Sequence, residues 1–376
     1  MKILLILPAN PSSAPYLQYY INIIKKCGYA YDVCYWDRNK EGDGKYDANY
    51  KSFKSCSEGH NFIEKIWDYI NFGKFVRMQY ANDDYNLVII FTLQMLVFLS
   101  LFLYFNLKNK YIADIRDYCS IMKIPFIKYV LKKVLRASAL NCISSNGFKK
   151  WLPTKVVYCL SHNMSSDKIN VNIDFKEGIR KFPINVLTIG ALRDLATNIL
   201  LIKGLCNDNR FFLTFSGQGP ATKPTQSFVQ QQNVENIIMT GAYHKSDEDL
   251  IINKADMMNI LLSDDLNSRT LMANRFYLSV LYRKPMIVSA NTETAFYVDK
   301  YCLGVVVRPN DDIKEKILDF WENFDYQRYN SGCKAFIEQV KIDILSFEDN
   351  VSNILSKYVD IRKQNSSHYR RNRFLW

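Results

Sequence analysis

Short runs of branched and aromatic residues alternate with helix-like segments along the chain, and this alternation restricts the possible folds more than any other feature. The runs in the first half are residues 3–7, 30–36, 87–91, 111–115, 140–144 and 156–159. The intervening segments have helical periodicity, as in residues 16–27, which end at Gly28. Helices that connect successive strands make the strands parallel and cover both faces of the sheet. The first half is therefore predicted to form an α/β, doubly wound sheet.

A second series of the same kind begins at residue 184. Its predicted strands are 184–189, 211–215, 237–240, 256–260, 285–289 and 304–307, and its helices are 247–254, 270–282 and 312–324. Polar residues separate the two series, and 376 residues exceed the usual size of one core. We expect two Rossmann-like domains, 1–165 and 184–340, a linker at 166–183, and a C-terminal helix with a basic tail, 341–376, packing back toward the first domain.

Residues 87–105 contain no charged residue over nineteen positions, which is close to the length of a transmembrane helix. They also fit a buried strand at 87–91 followed by a helix at 93–107, with Thr92 as its N-cap. The polar residues Gln94 and Ser100 and the surrounding strand pattern favour the strand and helix. The membrane span remains the alternative.

Positive charge is concentrated in two places. The net charge is +12, and the last sixteen residues contain five basic residues and no acidic one. A helix predicted from residue 126 places Lys128, Lys132 and Arg136 on one side, with Ile127, Val130, Leu131, Val134 and Leu135 on the other. This helix fits an anionic membrane surface, or its apolar side packs in the core. The tail fits an anionic partner or is solvated; no motif of stacking aromatic residues indicates nucleic acid.

Several other classes of protein are disfavoured. The nine cysteines include no C-x-x-C pair and suggest reduced thiols in a cytosol, and residues 3–7 are too short for a secretory signal. The four histidines share no motif, so no metal is expected. A G-x-G-x-x-G fingerprint and a P-loop are both absent, which argues against dinucleotide oxidoreductases and P-loop enzymes.

Five segments of the second half, in order, resemble the C-terminal domain of GT-B glycosyltransferases of the family-4-like group. They are Gly190 to Arg193, Gly217-Gln218-Gly219-Pro220, Gly241, Ala255-Asp256, and Asn274-Arg275 followed by Lys284-Pro285. The first half resembles the group more weakly around Asp114 to Asp117. The resemblance implies a GT-B fold, in which an acceptor-side domain and a nucleotide-sugar-binding domain face each other across a cleft.

The resemblance also implies roles for individual residues. Arg193 would neutralise the donor diphosphate during catalysis, and Asp117 would accept the proton. The other implied donor-binding residues are Gly190, Asn198, Gly217, Gly219, Asn274 and Arg275. Asn198 stands where many relatives have a phosphate-binding lysine. On the acceptor side, Arg116 and the loop residues Ser12 and Ser13 would face the substrate.

One departure from the group concerns two glutamates, eight positions apart, that many relatives have around the donor helix. Thr270 and Leu278 occupy these positions, and no acidic residue lies between Leu266 and Thr292. Recognition of the sugar by the second glutamate therefore cannot operate as in those relatives. Either the site relies on asparagine and arginine, or it has decayed.

The sequence thus predicts a glycosyltransferase that moves a sugar from a nucleoside-diphosphate-sugar to an oligosaccharide linked to a lipid such as a polyprenol, with retention and without a metal cofactor. The resemblance implies bacterial capsule, O-antigen or exopolysaccharide synthesis at the inner face of the cytoplasmic membrane. Two alternatives are a catalytically degenerate GT-B scaffold at the membrane and a GT-B-fold sugar-nucleotide epimerase.

Overall fold

The computed structural model of the chain describes residues 1–38, 45–55, 60–164, 169 and 181–365. It divides into two compact units. The first contains Met1–His162 and Asp343–Trp376, and the second contains Asn163–Ile342. The boundaries expected at 165, 184 and 340 stay predictions, and most of the expected linker lies outside the described residues.

The first unit is built on a seven-stranded parallel sheet with strand order β3-β2-β1-β4-β5-β6-β7. The strands are β1 Lys2–Leu7, β2 Ala30–Asp37, β3 Tyr50–Lys54, β4 Leu87–Phe91, β5 Tyr111–Ile115, β6 Leu140–Ile143 and β7 Cys159–Leu160. The helices before the second unit are α1 Tyr16–Lys26, α2 Phe62–Ala81, α3 Leu93–Phe98, α4 Ser100–Asn106 and α5 Pro125–Arg136. The central strands are fully buried because helices cover both faces, which accounts for their continuous apolar sequences.

The second unit has a six-stranded parallel sheet with strand order β10-β9-β8-β11-β12-β13. Its strands are β8 Ile184–Ile189, β9 Phe211–Ser216, β10 Ile237–Gly241, β11 Met257–Ile260, β12 Met286–Ser289 and β13 Gly304–Val307. Its helices are α6 Leu195–Leu205, α7 Thr222–Gln231, α8 Glu248–Asn253, α9 Leu266–Thr270, α10 Asn274–Leu281, α11 Glu293–Tyr301 and α12 Ile313–Glu322. The last helix, α13 Tyr326–Asn365, contributes residues to both units.

Residues 87–105 form β4, α3 and the start of α4, as predicted, and not one continuous span. The helix expected at 93–107 is interrupted at Leu99, where the backbone leaves the helical region with φ −96° and ψ 7°. Among the described helices, none combines the length and the apolar character that crossing a bilayer requires.

Thr92 does not cap α3, so this expectation is wrong. Its side chain makes no capping hydrogen bond, and its backbone has a φ of +74°, which is unusual for a β-branched residue. The Thr92 N–H instead donates to the Asp114 carbonyl at 2.8 Å. The hydroxyl is buried and makes no hydrogen bond to a described residue. The end of β4 is therefore a strained position.

One strand was not predicted, and one further expectation needed correction. The edge strand β3, which has the polar sequence YKSFK, is only half-buried and is absent from the predicted series of strands. The apolar side expected on the basic helix is divided: Leu131, Val134 and Leu135 of α5 are buried in the core, whereas its first turns are not. The core interpretation therefore holds for the second half of α5.

Candidate functional site

The carboxyl ends of β8, β9 and β10 are connected to each other by main-chain hydrogen bonds. The Gly190 N–H donates to the Ser216 carbonyl at 2.9 Å, and the Gly217 N–H donates to the Gly241 carbonyl at 2.7 Å. One residue further out, the Leu192 N–H donates to the Gln218 carbonyl at 3.3 Å. Since ligands of parallel α/β sheets bind at this edge, the three loops form one preformed surface for the candidate donor site.

Two glycines of these loops, Gly217 and Gly219, are required by packing. Gly217 has a φ of +140°, and a Cβ there would overlap the Gly190 carbonyl oxygen. A Cβ on Gly219 would overlap the Leu192 carbonyl oxygen. The Gly219 N–H donates to the Thr222 hydroxyl at 2.8 Å. An interpretation in which Gly217 and Gly219 offer free amides to a phosphate is therefore wrong, because both N–H groups are already bonded within the protein.

Two residues of the predicted diphosphate site have different environments. Arg193 follows the β8 loop and is exposed, with no hydrogen bond or ion pair to any residue that the structure describes. Asn198, on α6, is buried, and its amide donates to the Thr225 hydroxyl at 3.1 Å. The structure thus leaves Arg193 available to an anion, whereas Asn198 joins α6 to α7.

Asn274 and Arg275 begin α10, which leads back from the carboxyl edge of the sheet. The N-cap residue, Ala273, has no side chain that could bond the first-turn amides. Asn274 is exposed and Arg275 is half-buried. Desolvation by the surrounding protein lowers the pKa of Arg275 from 12.5 to about 10, and no carboxylate opposes this effect. A desolvated guanidinium at an uncapped helix N-terminus is a strong site for an anion.

The positions of the two expected glutamates have structural roles here. Thr270 is fully buried, and its hydroxyl donates to the Leu266 carbonyl at 2.7 Å. Leu278 packs against an apolar cluster. The sequence analysis missed Glu293, which lies one position beyond the stretch without acidic residues. Its carboxylate is buried in the first turn of α11, directly after the loop that follows β12.

In the first unit, the loop after β1 exposes Ser12 and Ser13. The Ser12 N–H donates to the Tyr46 hydroxyl at 3.3 Å, and the Ser13 hydroxyl donates to the Asn10 carbonyl at 2.7 Å. Both residues remain reachable from solvent, as expected of acceptor-side residues. Their substrate contacts stay predictions.

Arg116 is buried and its guanidinium is bonded within the first unit, so its substrate contact stays a prediction. It is 4% exposed and forms an ion pair with Asp114, with Nη2 and Oδ2 2.6 Å apart. The same guanidinium donates to the carbonyl and the hydroxyl of Ser161 at 3.1 and 2.9 Å, and the ring of Tyr16 lies 4.6 Å from it. An acceptor contact would require Arg116 to leave these partners. Asp117, the next residue, is exposed and stays the candidate proton acceptor.

The sequence analysis also missed Arg38 and Tyr16 at this edge. The Arg38 guanidinium stacks 4.2 Å from the Trp36 ring and donates to the Tyr69 hydroxyl at 3.0 Å. Burial raises the pKa of Tyr16 to about 12, partly offset by Arg116, so its hydroxyl stays neutral. An arginine directly after the strand β2 was the signal that could have been used.

The described residues contain no group of three histidine, cysteine, aspartate or glutamate side chains placed to hold a metal ion. Metal independence of the reaction stays a prediction.

Comparison with solved structures finds the same fold over the whole chain. The N-terminal domain of trehalose-6-phosphate phosphatase from Candida albicans matches with a TM-score of 0.69 and 13% identity over 96% of both chains. Sucrose-phosphate synthase from Thermosynechococcus elongatus matches with a TM-score of 0.66 and 13% identity, over 98% of this chain and 100% of the other. HepE from Anabaena, in complex with UDP and glucose, matches with a TM-score of 0.63 and 13% identity, over 95% and 100%.

No protein-family model matches the sequence, and no curated protein matches it significantly. At 13% identity, the likeness to solved structures establishes the architecture and not the activity. The chain has the GT-B fold, an α/β architecture with two Rossmann-like domains.

Proposed function

We propose that the protein is a glycosyltransferase that uses a nucleoside-diphosphate-sugar as donor. The observation that carries this proposal is Arg275. Its guanidinium is desolvated enough to lower its pKa to about 10, yet no carboxylate among the described residues balances it. A desolvated charge without a carboxylate partner is costly, so an arginine in this environment is best explained by an anionic ligand. A diphosphate has the charge and the oxygen geometry that a guanidinium recognises.

The second unit offers the other groups that transfer from a diphosphate requires. Arg193 is free to contact the diphosphate and would stabilise the charge that develops on it as the sugar leaves. The uncapped first turn of α10, beginning at Asn274, adds amide donors. Gly217 and Gly219 would shape the nucleotide side by close packing, and Gly190 by its φ of +98°. Two arginines supply the positive charge that a metal provides elsewhere, so we propose that no metal is needed.

For the acceptor, we propose a lipid-linked oligosaccharide, with Asp117 as the proton acceptor. The exposed position of Asp117 and the basic, partly apolar surface of the first unit support this assignment. We further propose a member of the family-4-like group that retains anomeric configuration and acts in bacterial surface polysaccharide synthesis. The corresponding location is the inner face of the cytoplasmic membrane.

One observation favours a second candidate. The positions of both expected glutamates are occupied by residues that are packed within the protein, Thr270 and Leu278. A degenerate scaffold would show this loss, and so would an epimerase with altered sugar contacts. The two differ from a transferase in simple ways: a scaffold binds no nucleotide, and an epimerase converts the donor without an acceptor.

The test is a thermal-shift panel of UDP, GDP, CMP and their common sugar conjugates. A ligand of the folded state raises the melting temperature by mass action, so one nucleotide class is expected to stabilise the protein selectively. No stabilisation by any of them would contradict the donor site and favour the scaffold. The stabilising sugar nucleotide is then incubated alone. Release of free nucleotide only when a lipid-linked acceptor is added supports the transferase, and isomerisation without acceptor supports the epimerase.

A further inference from the structure

The exposed large apolar side chains of the first unit are concentrated on one helical layer. Helices α2, α3, α4 and α5 pack side by side on one face of the sheet. The most exposed large apolar side chains of α4 and α5 are Leu101 at 73%, Phe105 at 74%, Phe126 at 67% and Tyr129 at 58%. Exposed apolar residues are ordinary when scattered, but a group with several aromatic rings on two adjacent helices marks an interaction surface.

The stretch of chain that contains α5 is also strongly basic. No acidic residue occurs between residues 118 and 166, whereas the same stretch contains eight basic residues. They are Lys123, Lys128, Lys132, Lys133, Arg136, Lys149, Lys150 and Lys155. The exposed lysines Lys123 and Lys128 lie on either side of Phe126 in sequence. Apolar and basic side chains are therefore interspersed along the same segment.

The start of α5 extends beyond the core. None of residues 125–130 is buried, whereas Leu131, Val134 and Leu135 anchor the second half of the helix. Ile124, just before α5, is 48% exposed. The segment from 120 to 130 follows the loop after β5, which contains Asp117. Apolar side chains at a protruding, basic helix start fit the boundary between lipid headgroups and acyl chains.

We propose that α4 and the first half of α5 form a docking surface for an anionic lipid bilayer, with Phe126 and Tyr129 inserted at the interface. The combination of charge and aromatic residues selects this occupant. Nucleic acid would use the lysines but leave Phe105 and Leu101 in water, and an acidic protein would need a complementary apolar surface. The inference rests on the proposed lipid-linked acceptor, and the docking segment is next to Asp117 in the chain.

Binding is measured by flotation of the full chain with vesicles of phosphatidylcholine, with and without phosphatidylglycerol, in the absence of donor and acceptor. One variant is Lys123→Glu/Lys128→Glu. Its matched control is Lys223→Glu/Lys334→Glu, which changes the net charge equally through exposed lysines of the second unit. Each lysine near an anionic surface contributes about fivefold to partitioning, so the first variant should bind at least about 25-fold more weakly. The control should bind as the wild type does.

A second pair of variants separates the insertion of an apolar side chain into the bilayer from the electrostatic attraction of the lysines to it. Phe126→Ser should weaken binding about five- to tenfold, and this loss should persist at high salt, where the effect of the lysines is screened. The matched control, Phe296→Ser, removes an exposed aromatic residue of the second unit and should bind normally.

The proposal is overturned if the wild type does not bind anionic vesicles at low salt. It is also overturned if the Lys123→Glu/Lys128→Glu variant and its control lose binding equally. Equal binding of Phe126→Ser and wild type at high salt would show a purely electrostatic contact and would also overturn it. Because neither donor nor acceptor is present, these outcomes leave the transferase proposal to its own test. Each variant is first checked for an unchanged melting temperature, so that unfolding is not mistaken for lost binding.

Discussion

Replacing Arg275 by methionine should stabilise the ligand-free protein and weaken nucleotide binding at the same time. The stabilisation follows from the lowered pKa. For a base, a pKa lower in the folded state means that the charged form is disfavoured by folding. The penalty is therefore complete below about pH 10 and is relieved as the pH rises from there toward 12.5, the ordinary value. At neutral pH the wild type is therefore destabilised by the whole of this penalty.

The magnitude can be worked from the same values. A fall in pKa from 12.5 to about 10 corresponds to about 3 kcal/mol. Arg275 is half-buried, so solvent screening reduces the expected gain in unfolding free energy to about 1–2 kcal/mol. In a unit of this size, each kcal/mol raises the melting temperature by about 2–4 °C. Methionine keeps most of the apolar volume of the arginine stem, so no cavity offsets the gain.

The same substitution should weaken nucleotide binding, although it stabilises the ligand-free fold. A hydrogen bond to a charged group is worth about 1.5–3 kcal/mol, which corresponds to a dissociation constant about 10- to 150-fold higher. The assay is a thermal-shift titration with the nucleotide that stabilises the wild type. Arg269→Met is the matched control, because Arg269 is exposed and paired with Asp264, and a surface ion pair contributes little.

A lower melting temperature for ligand-free Arg275→Met would refute the reasoning, since it would mean that the guanidinium has a stabilising partner. Equal stabilisation of the variant and the wild type by nucleotide would refute the binding role. Higher stability with weaker binding is the pattern expected of a residue whose balancing charge arrives with the ligand.

Four further outcomes are expected. Arg193→Ala should remove most turnover with an unchanged melting temperature, and near-normal turnover would contradict its role. Asp117→Asn should lower turnover about 100-fold or more while leaving the nucleotide-induced thermal shift intact. Thr92→Gly should raise the unfolding free energy by about 0.5–2 kcal/mol in urea, because relief of the positive φ exceeds the entropy cost of glycine; Thr92→Ala, which keeps the strain, should bring no such gain. A hydrogen bond from Cys142 lowers the pKa of Cys159. Near neutral pH, Cys159 of the wild type should therefore react faster with iodoacetamide than Cys159 of the Cys142→Ala variant. Equal rates would contradict that hydrogen bond.

The sequence predicted those parts of the fold that depend on local composition. Strands such as β4 and β5 are continuous apolar runs, because both of their faces are covered, and their predicted ranges match the structure. The edge strand β3 could not be recognised, because an edge position is only half-buried and tolerates the polar residues of YKSFK. Helix α2 extends to Ala81 because tertiary packing of Phe72 and Val76 supports turns whose sequence pattern is weak.

The candidate site was less predictable, since its chemistry depends on which groups meet in space. Arg116 and Asp117 are neighbours in sequence, yet Arg116 is hydrogen-bonded to Asp114 and Ser161, whereas Asp117 is exposed. Ser161 lies 45 positions from Arg116, and no local pattern indicates that contact. Likewise, the sequence places Arg275 at a helix start, but only the structure shows that its charge is desolvated without a carboxylate.

The glycine loops at the ends of β8 and β9 have a consequence for how this chain can change over evolutionary time. Their shape depends mainly on main-chain hydrogen bonds and on the absence of a Cβ at Gly217 and Gly219. A side chain is therefore excluded at Gly217 and Gly219, whereas positions that do not contact these main-chain atoms are less restricted. Relatives of this protein are better sought by the spacing of Gly190, Gly217 and Gly219 than by general residue similarity.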